Sequence, residues 1–142
     1  MKLFEKIIPI IVVFLGNNLT ILYAKEDNSI FHYPSKWEVS NVTKKACFEY
    51  ITFRSNNEIN MDSGSEKLAA QYTVLKSENN DDFYKFTINI YKDNLKPDCN
   101  GNISNDAGNH LIYYVKVISN TRLLFCESDN LDKCEFRVNL YK

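Results

Sequence analysis

The chain has 142 residues, of which 44% are hydrophobic, 13% aromatic and 25% charged, with a formal net charge of -1. Nine Tyr and nine Phe against four Gly and three Pro exclude a collagen-like or disordered chain, because so large an aromatic load offsets the entropy of ordering. The balance of 17 Lys+Arg against 18 Asp+Glu excludes the basic excess with which a protein grips phosphates, so no nucleic-acid partner is expected.

The first 24 residues begin with Lys2 and Lys6, run through the apolar stretch Ile7 to Leu15 and end at Leu22-Tyr23-Ala24. That is the order of a secretory signal peptide with a small residue at its cleavage site. Gly16-Asn17-Asn18 interrupts the apolar run short of the roughly 20 residues that a spanning helix needs. No membrane span is therefore expected after cleavage. Taking 24 residues from 142 leaves 118, residues 25–142, and the loss of Lys2, Lys6 and Glu5 leaves 15 basic and 17 acidic residues, a formal charge of -2. The expectation is one small, mildly acidic, extracellular domain.

Cys47, Cys99, Cys126 and Cys134 all fall in the mature part, which in an oxidising compartment reads as two disulfides. Cys126 and Cys134 flank Glu127 to Lys133, so a bridge across the base of one hairpin is easy and leaves Cys47 with Cys99. The rival pairings tie Cys47 to one of the last two cysteines and close a longer loop. There is no Cys-x-x-Cys, and His32 and His110 stand far from the thiols, so no metal is expected. Asn41-Val-Thr43 and Asn102-Ile-Ser104 are glycosylation sequons, which predicts surface positions for Asn41 and Asn102.

Along the mature chain, Cys47 to Arg54 is rich in aromatic and β-branched residues, and Ser55-Asn56-Asn57 offers a turn into a short polar strand around Glu58 to Met61. Ser63 to Ser77 admits two readings. Ser63-Gly-Ser-Glu66 fits a capping box, and Leu68, Tyr72 and Leu75 recur at helical spacing. The strand reading sets Leu68, Ala70, Tyr72 and Val74 on one face and turns through Glu78 to Asp82 into the next strand. We take the strand, since a lone short helix would interrupt an otherwise regular meander. Phe83 to Tyr91 alternates, with Tyr84, Phe86, Ile88 and Ile90 facing one way. Pro97 to Asn109 is a loop. Leu111 to Ile118 is apolar on both parities, which predicts a strand covered on both sides, and Thr121 to Cys126 follows the turn at Ser119-Asn120. The last strand sets Phe136, Val138 and Leu140 against Glu135, Arg137 and Asn139. Successive strands at roughly ten-residue spacing predict an all-β, antiparallel up-and-down barrel or sandwich. The alternative is a cystatin-like α+β fold that uses Ser63 to Leu75 as its helix.

Pro34-Ser-Lys-Trp37-Glu-Val39 resembles the first strand of the lipocalins, with Ser35 where the Gly of their Gly-x-Trp motif stands. Cys47 to Arg54 followed by Glu58 to Met61 is similar to the family's second and third strands. Tyr114 to Ile118, Leu123 to Cys126 and Cys134 to Lys142 look like the last three strands of arthropod lipocalins, with Lys142 at the place of the basic residue that packs over the Trp. The resemblance implies an eight-stranded barrel that carries a small hydrophobic ligand: a lipid, a pigment or an amphipathic effector.

Such a barrel is just wide enough for side chains or one small ligand. Inward-pointing Trp37, Tyr72, Tyr84, Phe86, Ile88, Tyr113, Val115 and Phe136 are the candidate ligand-binding residues, and the same side chains filling a solid core is the alternative. An extracellular protein bound through the loops is the other candidate partner. No enzyme and no cofactor are expected. Neither a Ser/His/Asp nor a Cys/His set follows from the spacing, and Walker-type and dinucleotide glycine motifs are absent.

Overall fold

The computed structural model describes residues 11–15, 18–22, 31, 34–40, 47–54 and 57–141. The strands are β1 (Ile11–Leu15), β2 (Asn18–Leu22), β3 (Ser35–Ser40), β4 (Glu49–Arg54), β5 (Glu58–Ser63), β6 (Glu66–Lys76), β7 (Phe83–Asp93), β8 (His110–Ser119), β9 (Arg122–Cys126) and β10 (Cys134–Leu140). β1 and β2 form a two-stranded antiparallel sheet that pairs with no other described strand. The remaining eight form a closed barrel in chain order, each antiparallel to the next, with β10 returning to pair with β3. Closure removes the exposed edges that an open sheet would carry. The only helical segment among the described residues is a 3-10 turn, Leu131–Lys133.

The expected all-β up-and-down barrel is thus the architecture, and the α+β alternative fails at the element that distinguished it. Residues 66–76 alternate with period two: Ala70, Tyr72 and Val74 are buried, and Gln71 and Thr73 are exposed. The apparent capping box is a tight turn in which Ser63 pairs with Glu66 across Gly64 and Ser65. Gly64 has φ +62, and a β-carbon there would meet the Asp98 backbone at 3.2 Å. Only glycine fits both demands.

β8 departs from expectation. Its inward side carries Leu111, Tyr113 and Val115, but Ile112 and Ile118 on the other parity are 44% and 48% exposed. Among the described residues nothing covers this face of the barrel, so its apolar side chains stay in solvent. Both disulfides follow the local pairing, Cys47–Cys99 and Cys126–Cys134. Asn102 is exposed, as its sequon requires. Asn41, His32, Lys142 and most of the expected leader lie outside the described residues.

Because the strands alternate in direction, the β3–β4, β5–β6, β7–β8 and β9–β10 connections share one end of the barrel and the other turns share the opposite end. Trp37, Phe53, Tyr72, Val74 and Phe86 fill the second end, all fully or nearly fully buried. Phe31, which precedes the first barrel strand, stacks on Phe53 at 4.0 Å between ring centroids and also meets Tyr72 and Phe86. The Trp37 indole N–H donates to Ser35 Oγ at 2.9 Å. Ser35 therefore gives the buried indole the acceptor it needs.

Candidate functional site

The loop-bearing end is not filled. A cavity of about 560 Å³ enters there, walled by Val39, Ile51, Met61, Leu68, Ile88, Leu111, Tyr113, Phe125 and Phe136. Ser40, Glu49, Tyr50, Asp62, Ser63, Glu66, Asp98 and Glu135 complete the lining, from strand ends and from the β7–β8 connection. Among the described residues the lining contains five carboxylates and no Lys, Arg or His. A second hollow, of about 590 Å³, lies between Arg122, Leu131 and Arg137. All three are exposed, so it is a feature of the outer surface rather than of the barrel interior.

The long β7–β8 connection is strapped onto the β5–β6 turn. Ser65 and Glu66 N–H both donate to Pro97 C=O, at 3.1 and 3.0 Å. Lys67 N–H donates to Asn94 Oδ1 at 3.0 Å, and Asn94 Nδ2 donates to Ser65 C=O at 3.0 Å. Cys99 N–H donates to Ser63 Oγ at 3.1 Å, and Ser63 Oγ–H donates to Glu49 Oε1 at 2.9 Å. With the Cys47–Cys99 bridge, these bonds fix the carboxylates at the entrance.

Glu135 reaches the cavity through a β-bulge. Cys134 pairs with Cys126 and Phe136 with Phe125, so Glu135 has no partner in the ladder. A bulge re-aims the side chain of its extra residue. Burial, a hydrogen bond with Glu127 and the Glu127 charge push the Glu135 carboxyl above its ordinary value. Burial and the surrounding charges of Asp106, Asp93, Asp98 and Glu49 do the same to Glu66. Asp98 moves the other way, held low chiefly by the Asn102 backbone N–H. Burial first, and then Glu135, raises the Tyr113 phenol, so it remains a neutral hydroxyl. Among the described residues no hydrogen-bond partner reaches that hydroxyl.

Of the residues expected to contact a ligand, Ile88, Tyr113 and Phe136 line the cavity. Trp37, Tyr72, Phe86 and Val115 belong to the packed core, and Tyr84 packs against that core. The sequence expectation put aromatic residues from both ends of the barrel on the wall, whereas those near the closed end pack solid around Phe31. It missed Val39, Ile51, Met61, Leu68, Leu111 and Phe125, although Met61 and Leu68 follow the inward parity of their strands. The entrance acids carry no sequence signal that marks them as neighbours.

No protein-family model, curated protein or solved structure matches the chain. Among the described residues, no helix is long and apolar enough to cross a membrane. Together with two disulfides, that is compatible with an extracellular protein.

Proposed function

We propose that this is a secreted, lipocalin-type carrier that holds a small hydrophobic ligand in the open half of its barrel, and that the polar end of the ligand is uncharged or cationic. The observation that carries the reading is an apolar cavity of about 560 Å³ whose lining, among the described residues, holds five carboxylates and no cationic side chain. Its volume falls within the range of ligand sites, and apolar walls with few polar groups are what such sites use. The Tyr113 hydroxyl supplies one hydrogen-bonding point on the wall. A fatty-acid carboxylate entering this end would meet like charge and, among the described lining residues, no counter-ion.

Calorimetry with a decyl amine, a decyl alcohol and a decyl carboxylate tests the reading. The amine and the alcohol bind, the carboxylate binds at least about tenfold more weakly, and Leu68→Trp abolishes binding without lowering the thermal midpoint. Failure of all three amphiphiles, or carboxylate binding as tight as that of the amine, overturns it.

A second reading, a module that binds an extracellular protein through its loops, draws on Leu95 and Ile103. Both stay more than half exposed on the β7–β8 connection, and connecting loops are where binding residues concentrate. It predicts that Ile103→Asp removes capture of a protease or other extracellular protein while Leu68→Trp leaves that capture intact.

A further inference from the structure

Beside the cavity, three carboxylates converge from parts of the chain far apart in sequence. Glu66 opens β6, Asp93 closes β7 and Asp106 lies in the connection that follows. One carboxylate oxygen from each lies within 4.8 Å of those of the other two. Two of the three are braced. Asp93 Oδ1 accepts from Leu95 N–H at 2.7 Å and Oδ2 from Asp106 N–H at 2.8 Å, and Asp106 Oδ1 accepts from Asn109 Nδ2 at 3.0 Å. Each of these oxygens keeps a further lone pair.

Glu66 differs. It is 6% exposed, and among the described residues no donor reaches its carboxylate. A charged group buried without a partner is costly, and such groups in proteins are paired or bind a metal. The two ion pairs among the described residues, Lys67–Asp62 and Lys116–Asp82, lie elsewhere. The buried carboxylate lies beside two others that are held in place, with no cation among the described residues between them.

We infer that Glu66, Asp93 and Asp106 form a divalent-cation site, and that the cation is Ca2+. All the donors are hard oxygens, and the thiols of this region are consumed in the Cys47–Cys99 bridge, which disfavours Zn2+. Ca2+ tolerates an irregular set of carboxylate and water oxygens, whereas Mg2+ demands a near-ideal octahedron. The bound ion joins the start of β6, the end of β7 and the far side of the β7–β8 connection. It thereby closes the loop at a second point, opposite the disulfide.

The test is calorimetry of EDTA-treated, full-length mature protein with CaCl2 alone and with MgCl2 alone, with the thermal midpoint as a second readout. One Ca2+ binds with a dissociation constant between about 1 μM and 1 mM, at least tenfold tighter than Mg2+. At 100 times that constant the ratio of folded to unfolded protein rises by about 100-fold. Glu66→Gln removes both the heat of binding and the shift in midpoint. Because that variant relieves repulsion in the metal-free protein, its midpoint in EDTA equals or exceeds that of the parent, which separates loss of the site from loss of the fold. Asp62→Asn, an acid outside the cluster, leaves Ca2+ binding intact. Absence of Ca2+ binding, binding that survives Glu66→Gln, or a preference for Mg2+ overturns the assignment. The amphiphile titrations in EDTA remain separate, so failure of the metal site and failure of the carrier reading are distinguished.

Discussion

The two halves of the barrel share the same eight strands and the same alternation, yet one is solid and the other hollow. At the closed end, Phe31, Phe53, Tyr72 and Phe86 interlock ring on ring above Trp37. Toward the loops, Tyr113, Phe125 and Phe136 cluster on one side of the wall, and Val39, Met61, Leu68 and Leu111 elsewhere on it leave the cavity open. The difference teaches that a barrel this size is filled or emptied by side-chain volume and not by strand count. One extra ring, donated by the segment before β3, completes the filling.

The comparison breaks most sharply at Trp37. Trp37→Ala should cost about 5 kcal/mol, the upper end for a fully buried aromatic residue, whereas Met61→Ala, on the wall of an existing cavity, should cost about 2 kcal/mol or less. Urea unfolding of both variants measures the gap, and equal costs would mean that the open half is packed as tightly as the closed one. The disulfides probe the open half further. On the chain-entropy account, losing Cys47–Cys99, with a separation of 52, costs about 4 kcal/mol, and losing Cys126–Cys134, with a separation of 8, costs about 2.5 kcal/mol. Paired Cys→Ala variants show whether that order holds.

The smallest effect concerns Glu135. Its folded value is raised, so ionising it is harder in the fold than in the unfolded chain, and its charge opposes folding at neutral pH. Stability is gained as pH falls from neutral through the raised value, and the gain is complete below the ordinary value of 4.5. Glu135→Gln should therefore raise stability at pH 7 by about 0.5 kcal/mol or less, since the group is exposed and screened. It should leave stability near pH 4 unchanged. Midpoints measured across that range check the sign.

Much of the barrel was legible because period-two alternation is a local signal. Phe86, Ile88 and Ile90 announce one buried face of β7, and Ala70, Tyr72 and Val74 outweigh the helical spacing that the same segment also contains. β8 misled, because apolar residues on both parities look like a doubly covered strand when Ile112 and Ile118 are simply left in water. The cavity was legible in kind but not in place. Which inward residues line the cavity depends on where the filling stops, and Phe31, a residue in no strand, extends the filling at the closed end. The entrance acids were opaque for another reason. Glu66 and Asp106 stand 40 positions apart and meet only through the strapping of the β7–β8 connection, and Glu135 faces the cavity only because of a bulge that no local pattern marks.

The position of Phe31 has a consequence for how the molecule is assembled. The filler of the closed end is covalently attached but topologically separate from the sheet, so the barrel and its stopper are two pieces of one chain. A chain trimmed to begin after Phe31 should keep its hydrogen-bonded ring while losing the stacked ring in its floor. A short synthetic peptide carrying that phenylalanine could then restore the floor from solution, turning an intramolecular contact into a measurable binding equilibrium.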